Sequence, residues 1–239
     1  ELALSQPAKE HTVFVASSRY IAPGLVFTNG RSSETSYAKM KVSVPPVHSP
    51  GQIEWPRGAP DIRRHFVTTG ANRIGGDADF YGAVNARLRR LPAAQKNVVV
   101  FVHGYNNSFQ EALYRFVQIN HDFNMNSVGV YYAWPSAGKL RGYVSDRDSA
   151  YFARDGLRKL LLGLQRTGAK RIYLVGHSLG TWISMEALGQ LSDIGRPTLG
   201  GKLDGVILLS PDIDPAVFSK QRECMTRLPR RFIVFVAQD

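Results

Sequence analysis

The sequence predicts an α/β fold: a mostly parallel sheet with helices on both faces and antiparallel strands along its amino-terminal edge. Three observations carry this. From Asp77 onward, short and almost wholly apolar runs alternate with segments of helical character, as strands buried on both faces and joined by crossover helices require. Between Tyr37 and Pro46 the chain alternates instead residue by residue, with Met40, Val42 and Val44 on one face and Lys39, Lys41 and Ser43 on the other. A half-exposed antiparallel strand has this pattern. Finally, 239 residues with 44% hydrophobic and 10% aromatic content suit one large folded domain. Residues 1–70 are expected to form its amino-terminal edge and residues 77–239 its β/α core.

Element by element, residues 1–10 are a polar lead-in, and strands are expected over His11–Arg19 and Tyr37–Pro46. Pro45-Pro46 ends the second, because proline cannot donate to a ladder. The segment Val47–Pro60 is rich in proline and glycine and predicts a surface loop, with a short strand over Arg64–Thr69. A helix over about Asp77–Arg90 leads to the apolar run Asn97–Asn106. The next helix should run from Ser108 to Phe123, since Ser108 and Glu111 have the spacing of a capping box. The strand Ser127–Trp134 follows, then a loop rich in glycine and serine, then a helix over Asp148–Thr167. Strand Arg171–Ser178, a helix to Leu191, strand Asp204–Pro211, a short helix at Pro215 and strand Arg231–Asp239 complete the chain.

Composition excludes several function classes. No apolar run approaches the ~20 residues that span a bilayer. The formal net charge is +11, but the basic groups (Arg63-Arg64, Arg87/Arg89/Arg90, Arg227/Arg230/Arg231) sit in no nucleic-acid-binding module and are not interleaved with aromatics. A solvated basic surface, or attraction to anionic envelope surfaces, accounts for them without a nucleic-acid partner. Cys224 is the single cysteine, so neither an internal disulfide nor a cysteine zinc cluster can form. There is no metal-ligand spacing and no phosphate-cradling glycine loop, and no cofactor is inferred. The first residue is Glu1 and not Met, so the amino terminus was processed or trimmed, and a bacterial cell-envelope or exported location is expected.

The chemistry concentrates in Gly176-His177-Ser178-Leu179-Gly180, a G-x-S-x-G pattern with a strand before it and a helix after it. A serine at such a turn lifts its hydroxyl above the sheet edge, and the flanking glycines let strand and helix pass without a Cβ between them. The Leu179 amide, at the helix start, then faces the position of a developing oxyanion. A second turn, His103-Gly104-Tyr105, leaves an earlier apolar strand and is expected to add the Tyr105 amide to that oxyanion hole. His103 is expected to shape this loop rather than act as a base.

In order along the chain, "VFVASSR", "SVPPVHSPGQIEWP", "HFVTT", "VFVHGYNNSFQEALYRFVQI", "AWPSAG", "GHSLGTWISMEAL" and "SPDID" resemble the α/β-hydrolase superfamily, and within it a bacterial esterase/lipase-like family catalogued as a domain of unknown function. The resemblance covers nearly the whole chain and implies the α/β-hydrolase fold with serine-nucleophile chemistry. It does not specify the substrate.

Serine hydrolysis of this kind also needs a histidine base and an orienting acid, in the chain order serine, acid, histidine. The last histidine is His177, directly before the serine and turned away from it, while His11, His48, His65 and His121 lie upstream. The chain reaches Asp239 straight after a strand, and the base is therefore expected in polypeptide beyond that point. Asp239 stands at the position expected for the acid. Asp212, after the preceding strand, is the alternative, and Asp212 and Asp214 also fit a turn and N-cap pair opening the helix at Pro215.

Between Pro211 and Arg230 there is room for one helix and no lid, so the site is expected to be open. Its wall should come from the loop Trp134–Ser149, with Trp134, Tyr143 and Tyr105 offering apolar surface to an acyl or alcohol group. The expected activity is cleavage of small or lipid-like carboxylic esters through an acyl-enzyme on Ser178. Acyl transfer or amide cleavage by the same residues, and a non-catalytic scaffold on the same fold, are the alternatives.

Overall fold

The computed structural model describes residues 6–138 and 142–236. In chain order its elements are β1 (Lys9–Ala22), β2 (Val26–Val44), β3 (Val67–Ile74), α1 (Asp77–Arg89), β4 (Asn97–Val102), α2 (Phe109–Asp122), β5 (Val128–Ala133), α3 (Tyr143–Gln165), β6 (Arg171–His177), α4 (Leu179–Asp193), β7 (Leu203–Leu209), α5 (Pro215–Glu223) and β8 (Arg231–Phe235). The strands make one sheet in the order β3-β2-β1-β5-β4-β6-β7-β8. Six of them form a parallel ladder, and β2 is antiparallel to both its neighbours, β1 and β3, so that β3 points the same way as the six. The antiparallel element at the amino-terminal edge is thus β2 alone, because β1 pairs in parallel with β5.

The period-two geometry of a strand sends successive side chains to opposite faces, and the continuous apolar runs fill both. Val98, Val100 and Val102 of β4 join a core cluster with residues of α1, α3 and α4, including Phe80, Leu157, Leu160 and Leu188. Val99 and Phe101 join the opposite cluster, with Leu113, Phe116 and Val117 of α2 and Phe66 from the loop before β3. Each fully buried side chain of this size contributes roughly 1.5–3 kcal/mol, so a polar substitution at Val100 would break the central strand. At the other edge, Ile233, Val234, Phe235 and Val236 are exposed on and just after β8.

The expected helices and parallel strands are present, and the short strand expected over Arg64–Thr69 runs over Val67–Ile74, paired with β2; two other elements also differ in extent. The first two strands continue through residues 20–36 as one long hairpin, turning at Gly24 (φ 78°) and Leu25 (φ 61°). This part is mostly exposed and lacks hydrophobic alternation; backbone pairing and a few long-range contacts hold it. One of those contacts is Asn29 Nδ2 donating to the Ala137 carbonyl at 2.9 Å. The helix expected from Asp148 begins at Tyr143. In its first turn, buried Asp146 accepts hydrogen bonds from Ser136 Oγ and the Ala137 amide, both at 2.6 Å, which ties the helix start to the preceding loop.

The loop from Pro45 to Phe66 is fastened to the end of α2 by His48. Its Nδ1 lies 2.9 Å from Glu54 Oε2 and its Nε2 lies 2.7 Å from Asp122 Oδ1. Burial alone would depress the His48 pKa, but the two carboxylates outweigh it and the pKa is raised. A raised histidine pKa contributes stability that is fully present below the ordinary value of about 6.5 and is lost as pH rises through the folded value. His48→Gln is therefore expected to lower the melting temperature more at pH 6 than at pH 9, read from thermal unfolding across that range. A penalty independent of pH would remove the charge from this clasp.

Candidate active site

Ser178 joins β6 to α4 as the N-cap of that helix, in a left-handed backbone conformation (φ 50°, ψ −126°). For a residue other than glycine this costs roughly 1–3 kcal/mol, and the surroundings hold it. The Ser178 amide donates to the Leu209 carbonyl at 2.9 Å, and its carbonyl accepts from the Thr181 amide (2.9 Å), Thr181 Oγ1 (2.6 Å) and the Asp212 amide (3.4 Å). The end of β7, the first turn of α4 and the loop before α5 are thereby tied to the backbone of one residue.

Three glycines make this approach sterically possible. A Cβ on Gly176 would lie 2.9 Å from Ser184 Oγ and 3.0 Å from the Gly180 carbonyl oxygen. A Cβ on Gly180 would overlap the carbonyl oxygens of Val102 and His103, so α4 lies directly against the end of β4. A Cβ on Gly104 would lie 2.8 Å from His177 Nδ1 and 2.9 Å from Ser178 Cβ. The two glycine turns read separately in the sequence are therefore in contact.

Leu179, the first residue of α4, is buried. A first-turn amide has no partner within its helix, and this one belongs to the residue following Ser178. Tyr105 sits in the turn after β4, its carbonyl accepting from Asn107 Nδ2 at 2.7 Å. Its ring meets Tyr143 edge to face, with centroids 5.3 Å apart. The Tyr143 hydroxyl donates to Asp212 Oδ1 at 3.2 Å, so Tyr105, Tyr143 and Asp212 join the turn after β4, the start of α3 and the loop after β7 at one rim with Ser178. Asp214 is the N-cap of α5, accepting from the amides of Ala216 and Val217, and Pro215 opens that helix. Asp239 lies outside the described residues.

Trp134 is not at the rim. It is completely buried, its ring stacked on His103 with centroids 4.8 Å apart, and its Nε1 donates to the His103 carbonyl at 2.7 Å. The sequence expectation of a substrate-facing Trp134 is corrected, because the hydrogen bond that satisfies its indole lies in the interior. His103 is equally interior. Its Nδ1 lies 2.9 Å from the Gly104 carbonyl oxygen and its Nε2 lies 3.0 Å from that of Trp134. Burial pushes its pKa down to about 3, so it stays neutral and braces the loop. Among the described residues, no histidine ring is hydrogen-bonded to Ser178 Oγ.

Two residues that support the site went unrecognised in the sequence. Arg19 is wholly buried and reaches from β1 beneath the loop after β4. Its Nη2 donates to the Asn107 carbonyl at 3.3 Å, and its Nη1 donates to Asn29 Oδ1 at 2.8 Å and the Thr28 carbonyl at 3.2 Å. Asp146 holds the loop after β5, as described above. A buried charge that bonds only to uncharged backbone and side-chain groups leaves no pattern in a linear sequence. The one available signal was a lone arginine at the end of an apolar strand.

A serine held at a strained strand-to-helix turn, over a parallel sheet and against a second glycine turn, defines an α/β hydrolase. The chain belongs to the alpha/beta hydrolase family of unknown function DUF900, which matches residues 81–239. It is also similar to the uncharacterized protein alr1448 of Nostoc sp. (strain PCC 7120 / SAG 25.82 / UTEX 2576), 25% identical over 166 residues. That match takes in 51% of this chain and 43% of the relative, so the chain spans less than half the length of the protein it resembles.

The close approach at the turn has a direct test. Gly180→Ala is expected to cost about 3 kcal/mol or more in urea unfolding, because backbone oxygens must move. Gly189→Ala, in the same helix with nothing within 4 Å of its added Cβ, should instead gain up to about 1 kcal/mol. Equal effects at the two positions would mean that α4 and β4 are not in contact.

Proposed function

We propose that this protein is a serine hydrolase that cleaves carboxylic esters through an acyl-enzyme on Ser178. The observation that carries the reading is the strained Ser178 backbone, held by bonds to the end of β7, the first turn of α4 and the loop before α5, and packed against Gly104. Strain of this kind persists only where the surroundings over-determine it, and such positions cluster at functional sites.

In this reading Ser178 Oγ attacks the ester carbonyl, and the amides of Leu179 and Tyr105 take up the charge on the carbonyl oxygen. The alcohol leaves, and water then releases the acid from the serine. Tyr143 and Tyr105 give the substrate an aromatic wall at an open rim. The described histidines do not supply the base: His103 is buried and neutral, and His177 packs with Nδ1 toward Gly104. We assign the orienting acid to Asp239, with Asp212 as the alternative. Asp212 already accepts from Tyr143, and a carboxylate that orients an imidazole would have to share or exchange that bond.

A fluorophosphonate probe tests the nucleophile. The natural gene product is expected to be labelled at Ser178, as mapped by peptide mass spectrometry, and Ser178→Ala should abolish labelling. Undiminished labelling in that variant would sink the assignment.

The acids are separated by kcat on a small p-nitrophenyl ester, with circular dichroism confirming the fold. Loss of the orienting acid should cost on the order of 10⁴-fold, because the imidazole loses its tautomer and its stabilising charge. With Asp239 as the acid, Asp239→Asn collapses and Asp212→Asn stays within roughly tenfold of the parent. The reverse result would move the acid to Asp212 and the Tyr143 rim.

A further inference from the structure

Behind the Gly104 turn, on the α2 side of the sheet, lies a half-open cavity of about 530 Å³ that the proposed chemistry does not use. Its apolar lining includes Phe101, Ile119 and Leu209, and its polar lining includes Arg115, Gln118 and His177. Gly104 lines this cavity and also lies against the nucleophile's turn, since a Cβ there would come within 2.8 Å of His177 Nδ1 and 2.9 Å of Ser178 Cβ.

Arg115, an exposed residue, and His177 both keep hydrogen-bonding capacity for a ligand. Arg115 Nη1 donates to Gln118 Oε1 at 2.7 Å and to the Gly51 carbonyl at 3.2 Å, which fixes the guanidinium at the cavity. Guanidinium has five N–H donors, and among the described residues no carboxylate pairs with this one. Gln118 in turn donates to Asp122, so the nearest acid in this chain of bonds is one side chain removed. The His177 ring has no hydrogen-bond partner among the described residues. Burial and the neighbouring Arg115 charge both depress its pKa, so the ring stays neutral and has one N–H to offer. A fixed cation and an idle imidazole beside an apolar wall are complementary to an anion with an aliphatic tail. A planar carboxylate suits the guanidinium fork best.

We propose that this cavity is a binding site for an aliphatic carboxylate, with its head on Arg115 and His177 and its chain along Phe101, Ile119 and Leu209. The site adjoins the Ser178 turn without including the serine, and it is intact in a protein that cannot react. If the ester reading also holds, the ligand belongs to the chemical class of the acid that the reaction releases. Occupancy would then place a negative charge one residue behind the oxyanion turn, where it opposes charge development on the substrate.

The test uses Ser178→Ala, so that binding cannot depend on turnover. Butanoate, hexanoate and octanoate are titrated by isothermal calorimetry, with octanol and octylamine as neutral and cationic controls. Saturable one-to-one binding is expected, tightening by up to about fourfold per added methylene, as burial of the chain requires. Arg115→Gln should weaken octanoate at least tenfold, in keeping with loss of a charge-assisted bond. Arg115→Lys should recover part of the affinity, and both variants are checked by thermal melting. Titration of the His177 ring by NMR should show its pKa rising when octanoate is bound. The proposal is overturned if octanoate fails to saturate, if affinity is flat with chain length, if octanol binds as well, or if Arg115→Gln binds normally. Failure of Ser178 labelling would sink the ester reading and leave this result standing.

Discussion

The structure depends on how closely the ends of β4 and β6 approach one another. Helix α4 lies against the carbonyl oxygens of Val102 and His103, and Gly104 lies against Ser178 and His177. Neither contact leaves room for a side chain, so glycine is required at both positions for steric reasons. The strained conformation at Ser178 follows from this packing. A chain leaving β6 under that restriction has to turn sharply to begin α4, and the bonds to Leu209, Thr181 and Asp212 hold the turn.

From that contact outward, the supports of the site become progressively longer in range. His103 and Trp134 lock the end of β4 to the end of β5 through two hydrogen bonds and a ring stack. Arg19 reaches the same loop from the amino-terminal hairpin, and Asn29 and Asp146 hold the neighbouring loop. A buried guanidinium is costly unless its donors are satisfied. Here the two terminal nitrogens bond to the Thr28 and Asn107 carbonyls and the Asn29 side chain, while Nε has no partner among the described residues, and the bond to Asn107 bears on the geometry beside the nucleophile. The hairpin that looks peripheral in the sheet is therefore part of the site's scaffold.

The three segments at the rim meet through modest contacts: an aromatic edge between Tyr105 and Tyr143 and one hydrogen bond from Tyr143 to Asp212. Contacts of this kind are each worth on the order of 1 kcal/mol. They can be exchanged when a substrate enters, whereas the Gly104–Ser178 packing cannot. The rigid and adaptable parts of the site are thus divided between close-packed backbone and partly exposed side chains.

The sequence by itself determined the α/β class, the parallel core, the capping box at Ser108–Glu111 and the strand–serine–helix turn. These features are local, because apolar runs, helix caps and glycine-flanked turns act over a few residues. It offered Asp212 and Asp214 together as a turn and cap pair ahead of Pro215, and the structure makes Asp214 the cap and bonds Asp212 to Tyr143. Only the tertiary structure decided that Trp134 is interior, that Arg19 supports the loop after β4, and that the strands of the first hairpin run on through residues 20–36. Each of these rests on partners far away in the chain: Trp134 on His103, Arg19 on Asn107, Asn29 on Ala137. An indole buried with a bonded nitrogen and one facing a substrate look alike in a linear sequence. The difference lies in which carbonyl the fold brings within reach.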